Sequence, residues 1–173
     1  MAHSVEVLFD ARTEAAVREQ WRVLDDAGLP SQSRVTSATN RPHLTLLAAR
    51  FIDPGVDEPL RGLRDLLPLE CVLGAPLVFG GPRMTLARLV VPSAALLALH
   101  AEVCRRCLPF SDTPFAHCAP GHWTPHVTLG RRFGRAEIAT ALAVVDGPGA
   151  DLPGQATALR RWDSDARTDY LLH

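Results

Sequence analysis

The chain has 173 residues, a formal net charge of −1 and 47% hydrophobic residues, enough to fill the core of one ordinary domain. All 18 basic residues are arginine, which excludes lysine-dependent chemistry such as a Schiff base or a phosphate-binding P-loop lysine. The balanced charge also argues against a general electrostatic binder of nucleic acids or membranes, because such proteins carry a clear basic excess.

The sequence carries no signal for insertion into a membrane or for secretion. No apolar run reaches the roughly 18 residues that a membrane span needs. The first residues lack the charged head and apolar stretch of a secretion signal. In the absence of such a signal, the four cysteines are expected to be reduced thiols. We therefore expect a cytoplasmic, monomeric protein.

Hydrophobic periodicity predicts strands alternating with helices in both halves of the chain. Apolar residues alternate with Glu6, which predicts a first strand with one buried face. Gly28 suits the left-handed position that ends a helix, and Ser93 can cap the helix that follows a central hairpin. The predicted elements are a strand at 4–9, a helix at 14–27, a loop at 31–40, a strand at 41–47, a helix at 58–67, a hairpin at 70–91, a helix at 93–107, a loop at 111–125, a helix at 136–145 and a strand at 156–162. This order indicates a single α/β or α+β domain over residues 1–173.

One short motif occurs twice, with its histidines 83 residues apart, close to half the chain length. It is Arg-Pro-His-Leu-Thr-Leu at 41–46 and Thr-Pro-His-Val-Thr-Leu at 124–129. Because alternate side chains of a strand share a face, His43 and Thr45 are predicted to point away from the core, as are His126 and Thr128. If an approximate two-fold axis relates the two halves, these polar faces meet across a cleft.

Two histidines that face one substrate suit the hydrolysis of a phosphoester. A neutral imidazole can take a proton from water while an imidazolium gives one to the leaving oxygen, and both forms exist near neutral pH because imidazole titrates at pH ~6.5. The threonine hydroxyls can donate hydrogen bonds to phosphate oxygens. Arg131 follows the second motif and can add a positive charge whose fork matches phosphate geometry, whereas Arg132 and Arg135 are expected at the surface.

The paired His-x-Thr-x motifs resemble the 2H phosphoesterase superfamily, and the second motif with its trailing Arg131 is similar to the bacterial RNA 2′,3′-cyclic phosphodiesterase and 2′-5′ RNA ligase branch. The resemblance implies an α+β bilobal fold, with two pseudo-symmetric lobes whose antiparallel sheets flank a central cleft. It implies opening of a 2′,3′-cyclic phosphate on an RNA end or small nucleotide to a 2′-phosphate, with no metal or cofactor. By this resemblance, His43 donates a proton to the 3′ oxygen and His126 activates water. The implied phosphate ligands are Thr45, Thr128 and Arg131.

Two other functions stay open on the sequence alone. The first is a 2′-5′ RNA ligase, which joins RNA ends by the reverse of the same transesterification. The second is a non-catalytic module that binds a nucleotide in the same cleft without turnover.

Several further polar residues have both a structural and a functional explanation. Cys104 and Cys107, followed by His117, Cys118 and His122, mimic the spacing of a zinc site. Cysteines on a predicted helix are more commonly packed as small apolar side chains, so no metal site is expected. Residues that can reach a substrate base, or else pack in the loop or core, are Trp123, Trp162, His117 and His122. The aspartates at 25–26 and at 163, 165 and 169 are expected to be solvated.

Overall fold

A computed structural model describes residues 2–145 and 151–172 of the chain as a seven-stranded sheet with helices packed against it. The elements in chain order are β1 (His3–Phe9), α1 (Ala11–Asp26), β2 (His43–Ala49), α2 (Asp57–Arg61), β3 (Leu69–Phe79), β4 (Met84–Val90), α3 (Ala94–Cys107), β5 (His126–Phe133), α4 (Arg135–Val145), β6 (Leu152–Asp163) and β7 (Thr168–Leu171). All strand pairs are antiparallel, which confirms the expected α+β class. No helix in the described ranges is long and apolar enough to cross a membrane.

The sheet brings together the two strands that carry the repeated motif. Its hydrogen-bonded order is β2-β1-β6-β3-β4-β5, with β7 paired to β6. Strand β6 pairs with β1 over 156–162 and with β3 over 152–156, so it joins the half that contains β2 to the half that contains β5. Although β2 and β5 end this path on opposite sides, they contact each other. The sheet therefore curls until the two motif strands lie side by side.

Each motif strand is held by a helix and an indole from the other half of the chain. Helix α1 packs on β5, and α3 packs on β2. Trp21 of α1 donates from Nε1 to the carbonyl of Thr128 at 3.0 Å. Trp123 donates from Nε1 to the carbonyl of Thr45, also at 3.0 Å, and stacks on His100 of α3 with ring centroids 3.9 Å apart. These matching contacts show the approximate two-fold relation between the halves.

Some element boundaries differ from the sequence-based prediction. Helix α1 begins at Ala11 because the carboxylate of Asp10 accepts hydrogen bonds from the backbone N–H groups of Arg12 and Thr13. The helix predicted at 58–67 is divided into α2 and a separate 3-10 turn at Arg64–Leu66. Gly28 has a φ of 73° after α1, as predicted. Strand β6 starts at Leu152, and the short strand β7 was not predicted.

Strand β1 is predicted to have one buried face, but all 7 of its residues are buried, so both of its faces are covered. The strand lies between β2 and β6, so both of its edges are paired. Its polar residue Glu6 accepts hydrogen bonds from Ser4 Oγ at 2.6 Å and from Arg160 Nε at 2.7 Å. The second face of β1, for which the sequence predicts no burial, therefore carries a buried carboxylate.

Candidate active site

Strand β2 presents the first motif on the face that also carries Glu6. Residues directly opposite each other on antiparallel strands share a face, and His43 lies opposite Leu8 while Thr45 lies opposite Glu6. A bulge then shifts the register, so that Ala48 lies opposite Ser4 on this same face. The structure therefore places the imidazole and hydroxyl of the first motif together, as the alternation predicts.

Strand β5 presents the second motif in the same way, with a bulge at the equivalent place. His126 lies opposite Leu89 and Thr128 opposite Ala87. Strict alternation would turn Arg131 to the other face, since it follows His126 by an odd number of residues. The register shift in the β4–β5 pairing instead sets Arg131 opposite Thr85, which shares a face with Ala87 and Leu89. The bulge is thus what brings Arg131 to the motif face.

The bulge in β5 requires a residue without a side chain at position 130. A Cβ atom on Gly130 would lie 2.3 Å from the Pro30 carbonyl oxygen and 2.8 Å from the Phe133 ring. We expect Gly130→Ala to lower the free energy of unfolding by about 1–3 kcal/mol, because backbone and ring must move to admit the methyl group. Urea denaturation measures this change, with Gly80→Ala as the control, since a Cβ at Gly80 meets no atom within 4 Å. Equal stability of the two variants would contradict this account of the bulge.

The two histidine rings have the same local hydrogen bond, which fixes the atom that can react. His43 Nδ1 lies 2.7 Å from the carbonyl oxygen of Arg41, and His126 Nδ1 lies 2.7 Å from that of Thr124. A carbonyl only accepts hydrogen bonds, so Nδ1 must carry the proton in each neutral ring. In both motifs a proline separates the histidine from its carbonyl partner and favours an extended backbone at the residue before it. Nε2 is therefore the nitrogen that carries the lone pair in each neutral ring.

The surroundings of His126 favour its neutral form. Burial is the largest cause of a pKa for His126 below the usual histidine value. The positive charges of Arg131, His43 and His117 lower the pKa further, and the hydrogen bond to the Thr124 carbonyl opposes this only in part. At neutral pH, Nε2 of His126 thus has its lone pair free, as a general base requires.

His43 has a carboxylate beside it. Its Nε2 lies 3.6 Å from Oε1 of Glu6, whose side chain is only 5% exposed. Burial tends to raise the pKa of Glu6, but the charges of His43 and Arg160 and the hydrogen bonds from Ser4 and Arg160 outweigh it, so the pKa lies below its ordinary value. Glu6 is therefore ionised at neutral pH, and its carboxylate attracts an imidazolium at His43.

The other three candidate site residues are at least partly accessible. The threonine side chains of the two motifs are half-buried, and Arg131 is exposed. Within residues 2–145 and 151–172, no hydrogen bond occupies the hydroxyl of Thr45 or Thr128, and no carboxylate pairs with Arg131. These groups can donate to an anion without first breaking a contact inside the protein.

The remaining candidates from the sequence have different positions. His117 is exposed and lies close enough to His126 for its charge to act on that ring. Trp123 is engaged in packing through its bond to Thr45 and its stacking on His100. Trp162 lies opposite Ser4, on the motif face of the first half. The side chains of His122, Arg132 and Arg135 are exposed, and we assign them no part in the site.

The cysteines that mimic zinc spacing lie in the core. Cys104, Cys107 and Cys118 are buried, and burial raises the pKa of the Cys104 thiol to about 11 and that of Cys107 to about 12. Within the described ranges, a different group of three residues has the spacing of metal ligands. It consists of His3, Asp163 and Asp165, whose possible ligand atoms all lie within 4.8 Å of one another. Asp163 in that group already accepts hydrogen bonds from two backbone N–H groups of the following turn.

Sequence analysis missed Glu6 and Arg160 as parts of this site. The sequence predicts one buried face for the strand that carries Glu6 and a last strand over 156–162 that includes Arg160, and it predicts no role for either side chain. The signal that could have revealed them is a charged residue within an otherwise apolar strand, since such charges are rarely buried unless they are paired. Asp169, expected to be solvated, also belongs to this group, because it accepts a hydrogen bond from Arg160 at 3.0 Å.

Comparisons with known proteins agree with the geometry. The structure of Kluyveromyces marxianus Usb1 with uridine monophosphate is similar to this chain, with a TM-score of 0.56, 14% identity, and coverage of 99% of this chain and 97% of that one. A second structure of Kluyveromyces marxianus Usb1 gives a TM-score of 0.51 and 13% identity at the same coverage. At these identities the likeness shows a common fold. No curated protein sequence matches the chain.

A family comparison identifies the chain more directly. The model of the 2'-5' RNA ligase superfamily matches residues 11–167, which include both histidine motifs and the hairpin and helices between them. This match covers most of the chain, and its fold is the one that the repeated motif implied. The protein therefore belongs to the 2'-5' RNA ligase superfamily of 2H phosphoesterases.

Proposed function

We propose that the protein is a phosphodiesterase that opens 2′,3′-cyclic phosphates on RNA ends or nucleotides to 2′-phosphates. Membership of the superfamily supports a phosphodiesterase-type activity. The opening of a cyclic phosphate by one acid and one base is supported by a difference between the surroundings of the two histidine rings. Both have Nδ1 fixed to a carbonyl and Nε2 available, yet one faces a carboxylate and the other faces cations.

The proposed reaction is an in-line displacement at phosphorus. Nε2 of His126 takes a proton from a water molecule, whose oxygen then forms the new bond to phosphorus. The bond between phosphorus and the 3′ oxygen breaks, and this oxygen receives the proton from Nε2 of His43. The product carries a 2′-phosphate and a 3′-hydroxyl. After the reaction, His126 releases to solvent the proton that it took from water, and His43 takes up a proton from solvent. Both rings are then in their starting states.

The phosphate ligands in this proposal are Thr45, Thr128 and Arg131. One hydroxyl from each motif can donate to a non-bridging oxygen, and the guanidinium adds a positive charge beside the attacking water. Preorganised donors of this kind are worth about 3–4 kcal/mol each to the transition state. Acid, base and cationic charge all come from side chains, so the proposed reaction needs neither a metal nor a cofactor.

The proposed substrate is a short RNA end or a small nucleotide. The net charge of −1 provides no broad basic surface for a long duplex. A similarly folded protein, Kluyveromyces marxianus Usb1, has been solved with uridine monophosphate. That structure supports a nucleotide-sized ligand for this fold.

The proposed roles predict the position of the acidic limb of the pH–rate profile. His126 must be neutral to act as base, and its pKa lies below the usual histidine value. We therefore expect kcat/KM to rise with pH to a plateau with a midpoint below pH ~6.5, and to fall again where His43 loses its proton. Initial rates on a cyclic nucleotide across pH 4–10 measure both limbs. An acidic midpoint above that of free imidazole would contradict the assignment of His126 as base.

A substrate panel tests the proposed function. Cyclic mononucleotides and RNA oligomers ending in a 2′,3′-cyclic phosphate are incubated with the protein and EDTA, and the products are separated by chromatography. The proposal predicts 2′-phosphate products at an undiminished rate in EDTA. RNA that also carries a 5′-hydroxyl end tests for ligation, and a 2′-5′ joined product without hydrolysis would favour the ligase. Nucleotide binding with no turnover would favour the non-catalytic module.

A further inference from the structure

We propose that Glu6 is a positioning residue for catalysis, whose buried carboxylate beside Nε2 of His43 stabilises the imidazolium that donates the proton. This inference rests on the proposed function and deepens it, because it identifies what distinguishes the acid from the base. Glu6 lies on β1 with Oε1 3.6 Å from Nε2 of His43, beyond hydrogen-bond distance, and it neither binds substrate nor transfers a proton in this scheme. It acts through His43.

The two oxygens of Glu6 have separate tasks. Oε2 accepts a hydrogen bond from Nε of Arg160 at 2.7 Å. Oε1 accepts one from Ser4 Oγ at 2.6 Å and lies 3.6 Å from Nε2 of His43. The oxygen nearest the imidazole is therefore held by a neutral hydroxyl, and the cation is bonded to the other oxygen. Because no cation among the described residues is bonded to Oε1, the negative charge on this oxygen can still attract the imidazolium of His43.

Arg160 anchors the carboxylate and is itself fully engaged in the protein. Its Nη1 donates to the carbonyl of Thr39 and to Oδ2 of Asp169, both at 3.0 Å. The Thr39 contact also holds the loop that leads into β2 against the sheet. The side chain of Arg160 is only 3% exposed, and a buried charge is stable only when it is paired, so Arg160 depends on these partners. Glu6 is thus part of a fixed network and does not have to be ordered by the substrate.

Comparison of the two halves shows that this carboxylate is specific to one histidine. Glu6 lies opposite Thr45 on the strand next to β2, and the residue that lies opposite Thr128 on the strand next to β5 is Ala87. The positive charge shows the reverse asymmetry. Arg131 follows the bulge of β5, and Ala48 holds the matching place after the bulge of β2. A carboxylate beside one ring and a guanidinium beside the other divide two otherwise similar motifs into an acid and a base.

The other charged groups around His43 do not replace this effect. Arg41, just before β2, is paired with Glu14 of α1. His126 of β5 brings a second ring whose positive charge would oppose that of His43. Glu6 of β1 is the charge that lies against the ring, and Arg160 of β6 and Asp169 of β7 are linked to it through the network described above.

The decisive variant is Glu6→Gln, which keeps the size of the side chain and removes its charge. We expect kcat on a cyclic nucleotide to fall about tenfold at pH 8, because the alkaline limb of the profile moves about 1 pH unit lower when the neighbouring negative charge is lost. The affinity for a 2′-nucleotide product should change little. Glu6→Asp, which restores the charge, should return the alkaline limb toward the wild-type position.

Two controls separate this effect from a loss of structure. Glu102→Gln makes the same change at a glutamate paired with Arg105 and Arg106 on the surface of α3, and it should leave both limbs in place. An aryl phosphodiester, whose nitrophenolate leaves without a proton, should be cleaved by Glu6→Gln at nearly the wild-type rate. A merely structural role for Glu6 would slow cleavage of both substrates equally.

The outcomes distinguish this inference from the proposed function. If the wild-type protein opens cyclic phosphates but Glu6→Gln leaves the alkaline limb unmoved, the inference is wrong and the function stands. If the wild type opens none, the proposed function itself fails. If the variant does not fold, NMR titration of the wild-type imidazole nitrogens provides the test. His43 must then keep both protons to a higher pH than His126, and the reverse order overturns the inference.

Discussion

His126→Ala is expected to lower kcat/KM for a 2′,3′-cyclic nucleotide about 10²–10⁴-fold, because the variant lacks the group that takes the proton from water. The fold should persist, since among the residues that the structure describes this ring makes one hydrogen bond, to the Thr124 carbonyl. The loss should appear in kcat with little change in KM, because the proton moves only in the transition state.

The matched control for this variant is His122→Ala. That side chain is exposed and lies on the same loop that leads into β5. It should retain a near wild-type kcat, and both variants should unfold at the wild-type urea midpoint. Equal losses in kcat from the two substitutions would contradict a specific role for His126.

His43→Ala should cause a loss of similar size, about 10²–10⁴-fold, but its dependence on the leaving group should differ. The 3′ oxygen of a ribose is a poor leaving group unless it is protonated, so removal of the acid strongly slows opening of the cyclic phosphate. A nitrophenyl ester of a nucleotide needs no proton on departure. On that substrate His43→Ala should approach the wild-type rate, and His126→Ala should still be slow.

This pair of substrates assigns the two roles without reference to a structure. The account is wrong about which ring is acid and which is base if the nitrophenyl ester rescues His126→Ala instead. Rescue of neither variant would mean that both rings mainly bind the phosphate.

The two motif strands were predictable because hydrophobic alternation and the repeated motif are local properties of the sequence, whereas alternation left α/β and α+β open and the resemblance implied α+β. The alternation of Leu44 and Leu46 with His43 and Thr45 sets the core and polar faces of β2, and the structure keeps that arrangement. Helix α3 also matched its prediction, since Ser93 accepts from the Leu96 N–H as an N-cap.

The position of Arg131 could not be derived from alternation. Its presence on the motif face depends on the bulge in β5, which is set by pairing with β4 and by the close approach of Pro30 to Gly130. Contacts of this kind join residues that are distant in sequence. The resemblance to 2H phosphoesterases supplied Arg131 as a ligand, and the bulge explains how the strand presents it.

The buried network of Glu6 and Arg160 escaped prediction for a related reason. A single glutamate among alternating apolar residues is typical of a strand with one solvated face. Only the assembled structure shows that the Glu6 side chain on this face is buried and bonded to Ser4 and to Arg160 of β6. The charge that distinguishes the two histidines is therefore a property of the assembled sheet.

The central claim is that both imidazoles act on one phosphorus atom, and a crystal structure with a bound nucleoside 2′-monophosphate tests it most directly. The account predicts that Nε2 of His43 and Nε2 of His126 each lie within hydrogen-bond distance of an oxygen of the same phosphate group or of the 3′-hydroxyl next to it. It also predicts that the Arg131 guanidinium contacts a non-bridging oxygen of that phosphate. A phosphate that contacts one ring alone, or that binds away from β2 and β5, would contradict it.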